Sequence, residues 1–180
     1  MSGSVVWLAG VSGAGKTTIA EAIVARLKPV LPELVLVDGD AIRDLFGAGL
    51  GYHEEARVEQ IGRIQRLARL LSGQGLVVLV AALYANRELL AWNRASLPGY
   101  FEVHVDAPMA LVRARDVKGL YAKADAGLMK HVVGIDVPWH PPEAPDLVID
   151  AAAGEPPERS AARVIAAVPR LAAVAKGRTT

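Results

Sequence analysis

Residues 10 to 17 read Gly-Val-Ser-Gly-Ala-Gly-Lys-Thr. Two glycines, a lysine and a hydroxyl thus stand at the spacing of a phosphate-binding Walker A loop, G-x-x-x-x-G-K-[ST]. The residue types suit that chemistry. Gly13 and Gly15 let the backbone curl so that successive N–H groups face a phosphate. The helix expected to start at the end of the loop adds the positive end of its dipole. Lys16 is expected to reach the β- and γ-phosphates of ATP as a catalytic cation, and the Thr17 hydroxyl to bind Mg²⁺. Gly10, Ser12, Ala14 and Thr18 complete the expected nucleotide-binding segment. A plain glycine-rich strand-to-helix turn would leave the Lys-Thr pair unexplained.

A second constellation follows at Asp38-Gly39-Asp40, after the apolar run Leu34–Val37. In an open α/β sheet the ligand crevice lies at the carboxyl ends of the strands, so both carboxylates are expected to face the Walker loop. A carboxylate there can hold Mg²⁺ or accept a proton from an attacking hydroxyl. The competing reading makes Asp40 the N-cap of a helix beginning Ala41-Ile42-Arg43. The third apolar run ends Ala81-Ala82-Leu83, with no acidic residue. Metal and base duties therefore fall on Asp38 and Asp40.

The elements that must position these groups are legible as alternation. Strand-like runs at Val5–Ala9, Leu34–Val37, Leu76–Leu83, Phe101–Val105 and Leu147–Ile149 are separated by helical patterns. These helices are expected at Thr17–Lys28, Glu54–Ser72, Arg87–Ala95, Met109–Arg115 and Pro157–Lys176, the last kinked or ended at Pro169. Continuous apolar strands alternating with amphipathic helices predict an α/β fold: a five-stranded parallel sheet covered by helices on both faces. Residues 116–145 break the pattern and are rich in Lys, Gly, Pro and His, as a lid would be.

The chain has 180 residues, 52% of them hydrophobic, enough for one domain with a sizeable core. A formal charge of +1 argues against a nucleic-acid-binding surface, and the absence of cysteine excludes disulfides and thiolate chemistry. No signal peptide is expected, and the longest apolar run, Leu76–Leu83, falls far short of a membrane span. A cytoplasmic protein without membrane or nucleic-acid partners is expected.

Several further segments carry a family resemblance. Arg115-Asp116-Val117-Lys118-Gly119-Leu120-Tyr121-Ala122-Lys123-Ala124 is the most specific. It is joined by Leu36-Val37-Asp38-Gly39-Asp40-Ala41-Ile42-Arg43, Val105-Asp106-Ala107-Pro108, Gly134-Ile135-Asp136-Val137-Pro138 and 141–150. With the Walker loop they make the chain resemble the adenylylsulfate kinases (APS kinases), P-loop NTPase-fold enzymes. These move the ATP γ-phosphate to the 3′-hydroxyl of adenosine 5′-phosphosulfate, giving PAPS. The resemblance implies a single kinase domain over 1–180 with a lid at about 116–136. It makes Asp40 the catalytic carboxylate and places Asp38, Arg43, Tyr52, Arg57, Gln60, Leu83, Tyr84, Lys118 and Val132 around a small nucleotide substrate. Arg43 and Arg57 carry forked donors suited to phosphate and sulfate oxygens. A lid cation from Arg115, Lys118 or Lys123 would approach the moving phosphoryl group. A homodimer is compatible with the resemblance.

The departures from the family pattern cluster on the phosphoryl-acceptor side. Gly-Phe-Ser is here Gly51-Tyr52-His53, Asn-Ile-Arg-Arg is Gln60-Ile61-Gly62-Arg63, and Ile-Ser-Pro-Tyr-Arg is Leu83-Tyr84-Ala85-Asn86-Arg87. Tyr84 thus stands at a serine position linked with a phosphoserine in some members. Gly-Phe-Thr-Gly-Ile-Asp is here His131-Val132-Val133-Gly134-Ile135-Asp136. The two phenylalanines that hold the adenine correspond to Tyr52 and Val132. Losing one stacking face weakens binding by about 1–3 kcal/mol when nothing compensates. Two alternatives stay open: a kinase for another nucleotide conjugate or small hydroxyl compound, and a nucleotide-binding regulatory protein with little turnover.

The remaining candidates read as structural. His53, His104, His131 and His140 show no metal-ligand spacing on one element. Trp7 and Trp92 read as packing, and Trp139 either covers a base or seals the lid hinge. Arg63, Arg66 and Arg69 recur on one helical stripe as a solvated face. Arg57 is placed nearest the crevice.

Overall fold

The computed structural model describes residues 3–47, 49–116 and 118–177; Val117, inside the expected lid, lies outside them. Five parallel strands form one sheet: β1 (Ser4–Ala9), β2 (Leu34–Asp38), β3 (Val77–Ala82), β4 (Phe101–Asp106) and β5 (Leu147–Asp150), in the order β2-β3-β1-β4-β5. All five match the expected runs to within a residue or so at each end. The order makes β1 and β3 neighbours, so the chain after each opens at the middle of the carboxyl edge.

Side-chain alternation splits each strand between two cores. Val6 and Leu8 of β1, with Val77, Leu79 and Ala81 of β3, face one side. Val5, Trp7 and Ala9, with Val78, Val80 and Ala82, face the other. Every residue of β1 and β3 is buried, which is why both read as unbroken apolar runs. The first face is covered by α1 (Lys16–Leu27), α7 (Pro157–Ala167) and α8 (Pro169–Lys176). The second is covered by α3 (Glu54–Gly73) and α4 (Arg87–Ser96). Proline at the start of α8 cannot continue the ladder of α7, so the long C-terminal helix ends at Ala167 and a new one begins.

Two short helices were not legible as periodic patterns: α2 (Gly39–Leu45) and α6 (Leu120–Asp125), the latter inside the lid. Helix α5 (Met109–Arg115) leads into it. The cap of α2 corrects the sequence expectation. Asp38, not Asp40, is the N-cap, its Oδ1 accepting from the backbone N–H of Asp40 at 2.9 Å and of Ala41 at 3.3 Å. Helical geometry starts two residues earlier, at Gly39, so Asp40 already lies in the first turn and its carboxylate is released from capping.

Trp7 is 1% exposed, as expected of a core residue. Trp92 packs at the margin of the second core. Trp139 packs against both cores with its ring 6.2 Å from His104, so it seals the base of the lid segment. No helix among the described residues is long and apolar enough to cross a membrane.

Candidate active site

One cavity of about 700 Å³ opens at the carboxyl edge, between the loop after β1, the ends of β2 and β3, and the lid. Gly13 and Gly15 take φ of 78° and 102°, a conformation that side chains resist, and Gly15 caps α1. Ser12, Gly13, Gly15, Lys16, Thr17 and Thr18 line the cavity. Gly10 and Ala14 do not. Gly10 packs against β4, where a Cβ would lie 2.6 Å from the Val105 carbonyl oxygen, and Ala14 is buried in the first core.

Lys16 is 9% exposed and its Nζ donates to the Val11 carbonyl at 3.0 Å. Burial pulls its pKa down to about 8; Lys118 pulls the same way, and Asp40 and Asp38 oppose. The Thr17 hydroxyl donates to Asp38 Oδ2 at 2.8 Å. Asp38 therefore serves α2 with one oxygen and Thr17 with the other. That pair offers hard oxygen donors of the kind Mg²⁺ takes alongside phosphates. No cluster of three or more His, Asp or Glu suited to a metal occurs among the described residues, which a phosphate-assisted Mg²⁺ site does not need.

Asp40 makes an ion pair with Lys118 across the crevice, joining the end of β2 to the lid. The lid is also latched to the phosphate loop. Tyr121, 2% exposed, donates its hydroxyl to the Ser12 carbonyl at 3.0 Å. Asp116 takes a positive φ and its carboxylate accepts from the N–H groups of Tyr121 and Ala122, anchoring α6. Arg115 lines the cavity and Lys123 does not.

The far side is formed by Arg43, Tyr52, Arg57, Gln60, Tyr84 and Val132, with Leu83 beside them. The two arginines are held differently from free anion clamps. Arg43 Nη1 donates to the carbonyls of Leu50 and Gly51 at 3.1 and 3.0 Å, and its guanidinium lies 4.6 Å from the Tyr52 ring centre. Arg57, 8% exposed, donates Nε to the Tyr52 carbonyl at 2.9 Å and Nη2 to the His131 carbonyl at 2.6 Å. It thus ties α3 to the lid. Burial first, and then Arg43, lowers the Arg57 pKa, so this wall carries positive charge that an anion would relieve. Gln60 is buried, with Nε2 donating to the Gly39 carbonyl at 3.2 Å and Oε1 left without a partner. Tyr84 is 2% exposed and donates to Glu54 Oε1 at 2.6 Å; burial first, then Glu54, raises its pKa to about 12. Arg63 pairs with Glu59 on the outer face of α3.

Sequence spacing missed four residues at or beside the cavity. Tyr121 sits inside the most specific motif but carried no assigned role. Glu54 holds Tyr84 from the first turn of α3. His53 and His131, read as scattered, stand with ring centres 6.3 Å apart. Only the docking of the lid on α3 brings them together.

Residues 2–150 match the adenylylsulphate kinase family. The chain is 41% identical over 156 residues to an adenylyl-sulfate kinase of Synechococcus sp. (strain JA-2-3B'a(2-13)), covering 87% of this chain and 89% of that protein. It is 44% identical over 146 residues to an adenylyl-sulfate kinase of Deinococcus deserti, covering 81% of each. The structure of the Mycobacterium tuberculosis APS kinase in complex with AMPPNP and APS superposes with a TM-score of 0.84 at 35% identity, over 92% of this chain and 97% of that one. The cavity that joins the loop after β1 to Asp38 and Asp40 is therefore the candidate active site of an ATP-dependent kinase, and the chain belongs to the adenylylsulphate kinase family.

Proposed function

We propose that the chain transfers the ATP γ-phosphate to the 3′-hydroxyl of adenosine 5′-phosphosulfate, with Asp40 acting on that hydroxyl. The observation that carries this reading is the division of labour between the two carboxylates. Asp38 is occupied by the α2 cap and Thr17, so Asp40 alone is left free of the backbone, opposite Lys16 and Lys118.

Catalysis in such a site is positioning and charge stabilisation. Loop amides and Lys16 hold the β- and γ-phosphates. Thr17 and, directly or through water, Asp38 would hold Mg²⁺, which when bound would supply charge neutralisation for the phosphates. When triphosphate enters, its oxygens compete for Lys118, which leaves Asp40 free to orient the acceptor hydroxyl and take its proton. Lys118 then lies beside the transferring group. Arg43 and Arg57 supply the positive wall for the phosphosulfate. Tyr121 holds the lid on the loop, excluding water as a competing acceptor.

The test measures ADP release by the purified chain with MgATP, with and without adenylylsulfate. Strong stimulation at micromolar adenylylsulfate is expected; no stimulation overturns the assignment. A second reading, transfer to another nucleotide conjugate or small hydroxyl compound, is favoured by Val132 at the base-facing wall, and a screen of such compounds in the same assay decides it. The proposal extends to a cytoplasmic enzyme and to a homodimer, for which exposed Leu45 and Phe46 offer apolar surface and sedimentation is the check.

A further inference from the structure

The buried apolar residues by which α3 joins the second core begin at Ile61 and continue through Ile64 and Ala68. The turns before them, which bring Arg57 and Gln60 to the cavity, contribute no residue to either core. Polar side-chain bonds hold that stretch instead. Gln60 reaches the Gly39 carbonyl at the start of α2, and Arg57 reaches the His131 carbonyl in the lid. The third tie runs to the end of β3, where the Tyr84 hydroxyl donates to Glu54 Oε1 at 2.6 Å.

This third tie has a fixed origin, since the Tyr84 side chain is buried in the second core. Burial first, then Glu54, raises the Tyr84 pKa to about 12, against opposing pulls from Asn86 and Arg57. The hydroxyl therefore remains a donor at any working pH. Its acceptor lies in the first turn of α3, three residues before Arg57 and so on the same side of the helix. Glu54 itself does not line the active-site cavity; it borders a separate hollow beside α4. Serine, the residue of the family pattern at position 84, carries its hydroxyl directly on Cβ and is too short for this bond.

We propose that Tyr84 is a positioning residue for the acceptor side: through Glu54 it fixes the first turn of α3 against the end of β3, and so sets where Arg57 stands as it bridges to the lid. This rests on the nucleotide-acceptor reading above. The bonds involved run from Tyr84 to Glu54 and from Arg57 to the Tyr52 and His131 carbonyls, and none ends on the loop after β1.

Tyr84→Phe, Glu54→Ala, the two combined, and Glu54→Gln test the inference, each with kcat, KM for adenylylsulfate and for ATP, and a thermal melt. Tyr84→Phe and Glu54→Ala are each expected to raise KM for adenylylsulfate about tenfold, the scale of one hydrogen bond to a charged group. The combination should raise it no further than either alone, because both break the same bond. Glu54→Gln keeps an acceptor oxygen and should hold that KM within about threefold. KM for ATP and kcat should stay within about twofold throughout. Added to Arg57→Ala, Tyr84→Phe should change KM for adenylylsulfate by less than about twofold, since the group it positions is gone. A rise with Tyr84→Phe but not with Glu54→Ala would mean that the hydroxyl meets the substrate itself, and the positioning role falls. A lowered melting temperature with both KM values unchanged would make the bond structural only and overturn the inference. A full further loss on top of Arg57→Ala would overturn the route through Arg57. If wild type shows no adenylylsulfate-dependent turnover, the acceptor reading falls and takes this inference with it.

Discussion

On the proposed ATP side of the cavity the groups that would face phosphate are mainly backbone amides, aimed by Gly13 and Gly15 and by the start of α1. On the proposed acceptor side they would be side chains borrowed from α2, the loop before α3, α3 itself and the lid. The first arrangement is local, so one stretch of sequence specifies it. The second exists only once α3 and the lid dock, and Arg57 is the strut between them. A local backbone device tolerates little change. A wall assembled from several elements can exchange one contribution for another.

The sharpest break between the halves comes from Lys16→Ala. The side chain belongs to the ATP side, and burial already works against its charge. Turnover should fall by at least about 10³-fold, the scale of removing a transition-state charge partner. Thermal stability should hold or rise, because a desolvated cation has been removed. Residual turnover near the wild-type rate would overturn the assignment of the loop.

The two carboxylates of the β2 end separate next. Asp40→Asn should lower kcat by about 10²-fold or more, the scale of a general base, with no loss in melting temperature. Asp38→Ala should lower both: it removes the cap of α2, worth about 1 kcal/mol, and the Thr17 contact. A melting-temperature loss from Asp40→Asn equal to that from Asp38→Ala would return Asp40 to a capping role.

This pair shows where sequence reading stops. The strands were legible because a parallel sheet buried on both faces must be apolar at every position, as in Val77–Ala82. The phosphate loop was legible because its function is its backbone. The cap was misplaced because Asp38 and Asp40 are equally good N-caps, and only the entry of Gly39 into the helix decides between them. Helix α6 has six residues, too few to show a period. Arg57 could be placed at the crevice from its position on α3. Its bond to the His131 carbonyl could not, since nothing in the sequence states which face of the lid meets α3.

A smaller effect follows from the Lys16 pKa near 8. Phosphate favours the charged lysine, so its pKa rises on nucleotide binding. Above pH 8 the free protein must take up a proton to bind. ATP affinity should therefore be flat below pH 8 and fall by about tenfold per pH unit above it, until the pKa of the bound form is reached. Direct titration of ATP binding between pH 7 and 9.5 reads this. Lys16→Arg, whose charge does not titrate, should abolish the slope even where it weakens binding. A wild-type affinity that stays level to pH 9.5 would place a charged Lys16 in the free protein throughout.

The smallest effect is the most informative about the acceptor wall. Val132→Phe adds an aromatic face at the cavity but enlarges a residue packed in the core. Overpacking costs about 1–3 kcal/mol, so the melting temperature should fall by a few degrees unless the ring turns into the open cavity. The added face should tighten acceptor binding by no more than about tenfold, the scale of one base stack, read as the KM for adenylylsulfate. An unchanged KM with a lowered melting temperature would mean that the added ring stays in the core and that Val132 does not border the base.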